Sequence, residues 1–211
     1  MKYDLAIIDY QMGNLFGLDC ALKHVKLKTI ITSKKEEIMN SKAIILPGVG
    51  SFGKAMKNIK EKKLDKIIKE FHVEKKIIIG ICLGMQLMFE KSSEINSNKG
   101  LALFKGSVEA INKKNKSLNI GWSENYCKSK KNEIKKLIHN KETYFIHSYA
   151  AKPLNNKIIL AESTFDNINF CSVVKSNNMI GFQFHPEKSG INGLKILKLL
   201  SRKIKNNENI L

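Results

Sequence analysis

The chain has 211 residues, 43% of them hydrophobic, which suits one α/β unit with a sizeable core and shows no linker that would split it. Its formal net charge of +18 invites a nucleic-acid reading, but the charge is almost all lysine spread along helix faces, with Arg202 the only arginine and no base-reading motif. No apolar stretch reaches membrane-span length, no basic-then-apolar leader opens the sequence, and Cys20, Cys82, Cys127 and Cys171 have neither Cys-x-x-Cys nor zinc-type spacing, so membrane, nucleic-acid and metal classes recede and a reducing cytoplasm fits.

Leu5–Ile8 reads as a strand, and Leu15, Leu18, Leu22 and Val25 then form a helical stripe at spacings of three and four. Residues 29–31 and Ala43–Leu46 are short strands. A lysine-rich amphipathic helix is predicted over 54–71, then a buried β-branched strand at Ile77–Ile81, then helical character over 83–91. From about residue 101 to 174 the segments shorten and become strand-like, including 143–146, 158–161 and 172–174. Residues 179–184 read as another strand, and 194–204 as a closing amphipathic helix. Such alternation predicts a largely parallel sheet covered by helices on both faces, with active-site residues at the carboxyl ends of the strands.

Three loops at such ends carry chemistry. In Gly80-Ile81-Cys82-Leu83-Gly84, glycines flank a cysteine between a strand and a helix. This is the nucleophile-elbow pattern with sulfur in place of a serine oxygen, and the helix start behind it favours a thiolate. A lone cysteine here would otherwise be a small buried apolar residue. Far downstream, His185-Pro186-Glu187 follows a strand. A cysteine nucleophile needs a base, and the base needs a third group to fix its tautomer, which Glu187 supplies if residues i and i+2 of an extended segment share a side. An incidental His and Glu at a strand end is the plainer reading. The third loop, Pro47-Gly48-Val49-Gly50-Ser51-Phe52-Gly53, has closely spaced glycines whose amides can turn toward a carbonyl oxygen. The amide of Leu83 would be the second donor. A simple βα turn or a phosphate cradle competes, although neither the dinucleotide glycine pattern nor a Walker lysine is present.

These motifs resemble the class I glutamine amidotransferases, whose signature is a cysteine elbow followed far downstream by His-x-Glu. Ile8-Asp9-Tyr10-Gln11-Met12-Gly13-Asn14-Leu15, the Pro47–Gly53 run, Gly80 through Glu90, Tyr144-Phe145-Ile146-His147-Ser148-Tyr149 and Gln183 through Gly190 are similar to the glutaminase subunits of imidazole glycerol phosphate synthase, over about residues 4–200. The sequence departs at Asn119-Ile120-Gly121-Trp122-Ser123, where a His-Met-Gly-Trp-Asn run is usual, and at Gln11, where Gly is common.

The resemblance implies a single glutaminase domain over residues 1–211, of flavodoxin-like α/β fold, that needs no cofactor or metal. It implies that Cys82, His185 and Glu187 form the catalytic triad, with an oxyanion hole from Val49, Gly50 and Leu83, and that Gln86, His147, Ser148 and Tyr149 hold glutamine. A solvent-facing Gln86 and a core-packed Tyr149 are the plainer alternatives. Asn14, Trp122 and Lys188 are implied at a partner surface, although Asn14 also suits a helix N-cap and Trp122 also suits the core. The implied partner is a (β/α)8-barrel synthase subunit forming a heterodimer and receiving ammonia through a channel. A paralogue feeding a surface-sugar amination system, or a non-catalytic binding subunit of the same fold, would share most of these features.

Overall fold

A computed structural model describes residues 2–95, 98–112, 118–127 and 133–210. The first half alternates strand and helix: β1 (Leu5–Ile8), α1 (Leu15–His24), β2 (Thr29–Thr32), α2 (Lys35–Met39), β3 (Ala43–Leu46), α3 (Phe52–Glu61), α4 (Leu64–Val73), β4 (Ile77–Ile81) and the short α5 (Leu83–Leu87). Every residue of β1, β3 and β4 is buried, because continuous Ile, Leu and Ala runs leave no polar face and need cover on both sides. The second half is richer in strands. It comprises β5 (Phe89–Ser92), β6 (Asn98–Lys99), β7 (Phe104–Ala110), β8 (Asn119–Asn125), α6 (Glu133–Ile138), β9 (Lys141–His147) and β10 (Tyr149–Pro153), then β11 (Ile159–Phe165), β12 (Ile168–Ser176), β13 (Met179–Phe182) and α7 (Gly190–Lys205).

Seven strands form the main sheet in the order β11-β12-β13-β4-β3-β1-β2. The five from β13 to β2 are parallel, and β12 and β11 extend the edge antiparallel. Alternate strand residues feed opposite faces. Leu5, Ile7, Ile45 and Ile79 pack with Leu18 and Leu22 of α1 and Ile196, Leu197 and Leu200 of α7. Ala6, Ile8, Ile44 and Ile78 pack with Phe52, Met56 and Ile59 of α3 and Ile68 and Phe71 of α4. The α/β reading with a mostly parallel, doubly covered sheet therefore holds. A second sheet, β10-β7-β5-β6, and the β8–β9 ribbon flank this frame. Among the described residues no helix is long and apolar enough to cross a membrane.

Three elements differ from the sequence reading. The helix predicted over 54–71 is two helices, broken where Lys63 takes a left-handed φ of +56°. The apolar stripe 52, 55, 56, 59 would continue to Lys63, yet the next apolar residues are Leu64, Ile67, Ile68 and Phe71. The break resets the phase so that both stripes face the sheet. The helix predicted over 83–91 stops at Leu87 because the following segment pairs as β5 with β7, Phe89 opposite Phe104 with ring centroids 5.5 Å apart. The strand predicted over 179–184 ends at Phe182, and Pro186–Lys188 is a 3₁₀ turn. Glu187 reaches His185 across that turn rather than along an extended segment.

Candidate active site

β13, β4 and β3 are neighbours in the sheet and parallel, so the loops after them converge. Those loops carry His185, Cys82 and residues 47–50. Cys82 has a φ of +51° with ψ of −110°, a sparsely populated conformation that costs a residue with a Cβ roughly 1–3 kcal/mol. Its flanking glycines permit the turn. A Cβ on Gly84 would lie 1.8 Å from the Leu46 carbonyl oxygen, and one on Gly80 would lie 2.6 Å from Met85 Cα. Only bare backbone lets α5 fold back so tightly on β3 and β4.

His185 Nδ1 stands 2.7 Å from Glu187 Oε1, with both side chains almost fully buried. An ionised carboxylate only accepts, so Nδ1–H donates and Nε2 is left to face Cys82. Nε2 has no nitrogen or oxygen partner among the described residues, and the Cys82 sulfur is the group it meets. Burial pushes the imidazole down, yet hydrogen bonding and charge interaction with Cys82 and Glu187 outweigh it and raise His185 to about 10. The backbone of His185 is fixed as well: its N–H donates to Tyr144 O at 2.9 Å, and Ser189 Oγ donates to its carbonyl at 2.7 Å.

The sulfur opens on a cleft of about 290 Å³ whose walls include Val49, Gly50, Leu83, Gln86, His147, Ser148 and Tyr149. All the residues read as oxyanion or glutamine contacts therefore meet around one space. Gly50 has a φ of +108°, and Leu83 N–H, at the first position of α5, has no acceptor within its helix. Tyr10, fully buried, donates its hydroxyl to Pro47 O and pins the base of the 47–50 loop. Gln86 is buried, not solvent-facing, and Tyr149 is half-buried, lining the cleft while packing against the hydrophobic core beneath it. His147 Nδ1 lies 2.8 Å from Tyr149 O, and Asn119 Nδ2 lies 3.4 Å from His147 Nε2. Nδ1–H must donate to the carbonyl, so Nε2 accepts. Burial pushes His147 down to about 3 and keeps it neutral.

The model of the family "Glutamine amidotransferase class-I" matches residues 6–201. The imidazole glycerol phosphate synthase subunit HisH of Lactococcus lactis subsp. lactis is 40% identical over 200 residues, covering 95% of this chain and 98% of that protein. The subunit of the same name from Caldanaerobacter subterraneus subsp. tengcongensis is 43% identical over 202 residues, with the same coverage. The chain belongs to the class I glutamine amidotransferases, in the HisH family. At 19% identity a PurLQS structure from Thermotoga maritima shares the fold, with a TM-score of 0.74 over 98% of this chain and 99% of that one.

In this amidotransferase the residues read for a partner surface lie at the rim of the site. Trp122 is 52% exposed, on the outer face of β8, with its ring edge-on to Tyr144 at 6.0 Å. Lys188 Nζ stands 6.0 Å from the same Tyr144 ring. Asn14 caps α1, its Oδ1 accepting from Gly17 N at 3.0 Å. Together with Val49, His185 and Glu187, Asn14 and Lys188 also line a small gap beside the cleft. Asn119, one of the departures from the usual pattern, is buried behind His147 rather than on the surface. Sequence reasoning missed Glu94 and Leu118 on the cleft wall, and the roles of Tyr10 and Gln183 beneath it. Glu94 and Leu118 carry no motif. Tyr10 and Gln183 sit inside quoted motifs, but only the fold reveals what their side chains touch.

Proposed function

We propose that this amidotransferase hydrolyses glutamine through Cys82, His185 and Glu187 and passes the ammonia to a (β/α)8-barrel subunit that makes imidazole glycerol phosphate in histidine synthesis. The observation that carries the reading is the convergence of the Cys82 elbow and the His185–Glu187 pair at adjacent strand ends, beside one cleft of about 290 Å³.

The Cys82 thiolate attacks the side-chain amide carbon of glutamine, forming a C–S bond as the carbonyl electrons move onto oxygen. Amides of the 49–50 loop and of Leu83 hold that oxyanion, each such donor being worth about 3–4 kcal/mol. Protonated His185 gives its Nε2 proton to the nitrogen as the C–N bond breaks, and ammonia leaves. Neutral His185 then takes a proton from water, the resulting hydroxide attacks the thioester, the C–S bond breaks, and glutamate departs. Glu187 holds the imidazole's orientation and stabilises its charged form. Glu94, whose Oε2 accepts from Phe52 N–H at 2.8 Å, puts a carboxylate on the cleft wall suited to the α-ammonium of the substrate.

Ammonia transfer to a partner is supported by the names of the relatives and by the exposed apolar residues Phe16, Val49, Ile120, Trp122 and Ile191, on segments bordering the site. The barrel subunit docks there, and residues 47–50 act as the switch that leaves the isolated chain slow. We read residues 1–211 as one glutaminase domain working in the cytoplasm. The family match over 6–201 supports the first point and the four free cysteines the second. Expression in a histidine auxotroph lacking its glutaminase subunit, with the cognate barrel supplied, tests the whole reading. Growth without histidine is expected. No growth, with both proteins folded, points instead to the sugar-amination alternative.

A further inference from the structure

A chain of buried polar side chains runs from the cleft wall to the sulfur. Gln86 Nε2 donates to Tyr149 O at 2.8 Å and to Gln183 Oε1 at 3.1 Å, and Gln183 Nε2 in turn lies 3.7 Å from Cys82 Sγ. Gln183 is fully buried and Gln86 nearly so. The direction of the chain is fixed by one group that cannot reverse. A backbone carbonyl only accepts, so Gln86 must turn its nitrogen to Tyr149; the atom of Gln183 facing that nitrogen must then be oxygen, and its own nitrogen must face the sulfur.

We propose that Gln183 is a donor to the reacting sulfur: its side-chain amide, oriented by Gln86, stabilises the Cys82 thiolate and the sulfur's position at the elbow. The sulfur has two sets of neighbours. As a thiol it donates to Ile146 O at 3.8 Å; as a thiolate that carbonyl repels it, and Gln183 supplies a compensating N–H beside His185. A hydrogen bond to a charged acceptor buried in low dielectric is stronger than one to a neutral acceptor. The same chain links the nucleophile to Tyr149, so the glutamine pocket and the sulfur are positioned by one connected set of amides. This inference rests on the reading of Cys82 as the nucleophile. The titratable groups around the sulfur are His185 with its partner Glu187, the neutral His147 on the cleft wall, the buried Tyr10 hydroxyl and Glu94, which also lines the cleft.

The test is the pH dependence of Cys82 alkylation by iodoacetamide in the full-length chain, in a Cys20→Ser background that removes the exposed thiol. Gln183→Met is expected to alkylate about tenfold more slowly at neutral pH, to converge with the parent at alkaline pH, and to lose kcat for glutamine with KM little changed. Gln183→Leu also removes the donor and adds no charge; it is expected to show the same shift, and it carries the test if the methionine variant does not fold. Profiles that overlay the parent, or rates reduced equally at every pH, overturn the proposal. If alkylating Cys82 leaves glutamine turnover intact, the nucleophile reading itself fails. If alkylation abolishes turnover while the profiles overlay, only the role of Gln183 fails.

Discussion

The amide nitrogen of Cys82 donates to the carbonyl of Phe182 at 2.7 Å, which ties the elbow directly to the strand that delivers His185. The parallel pairing of β4 and β13, Gly80 opposite Gly181 and Ile81 opposite Phe182, sets this contact. A one-residue slip would turn every side chain of β13 to the other face and carry His185 away from the sulfur. The register of the sheet is thus part of the proposed catalytic geometry.

Substituting Gly84→Ala is expected to disrupt the elbow. The new Cβ would meet Leu46 O at 1.8 Å, and rigid backbone on both sides leaves no flexible group to yield. Overpacking of this kind costs roughly 1–3 kcal/mol or more. Denaturant unfolding should show that loss together with loss of glutamine turnover; a variant of parental stability would contradict the packing account.

Tyr10→Phe removes the hydroxyl that donates to Pro47 O and leaves a buried carbonyl unpaired. The expected cost is about 1–3 kcal/mol of stability. Because Pro47 begins the loop proposed to supply oxyanion amides, kcat should fall more than KM rises. Steady-state kinetics with the barrel subunit present checks this, and a change confined to KM would count against it.

Acid should destabilise the protein through His147. Its folded pKa is lowered to about 3 from an ordinary 6.5, so between these values the unfolded chain binds a proton that the folded chain does not. Stability attributable to His147 is therefore full above 6.5 and falls as the pH drops toward 3, by at most about 1.4 kcal/mol per pH unit. Chemical denaturation across this range should give a flatter acid limb for His147→Gln than for the parent. Parallel curves would show that His147 is not a buried neutral group.

Trp122→Ala separates docking from folding. The ring is half exposed, so the isolated chain should keep its stability within about 0.5 kcal/mol. Affinity for the barrel subunit should fall by about 2 kcal/mol, close to thirtyfold, if the ring anchors the interface. Calorimetric titration of variant and parent distinguishes these outcomes, and unchanged affinity removes Trp122 from the interface.

Much of the fold was legible because its strands are short apolar runs that only a doubly covered sheet can bury. Leu5–Ile8, Ala43–Leu46 and Ile77–Ile81 have the bounds read from the sequence. The break at Lys63 was hidden because a one-residue phase shift in a lysine-rich helix leaves composition unchanged. Cys82 and His185 stood out because elbow and strand-end motifs carry local backbone demands. Asn119, Gln183 and Glu94 did not: a buried polar side chain looks like any other until its partners, supplied by distant strands, are known.

Covalent trapping tests the central claim most directly. The chain, with its barrel subunit present, is reacted with a chloroketone analogue of glutamine, and the labelled peptide is mapped while glutamine turnover is followed. The account predicts one label per chain at Cys82, turnover lost in step with labelling, and no label in Cys82→Ser. A label elsewhere, or full turnover after Cys82 is completely modified, would contradict it.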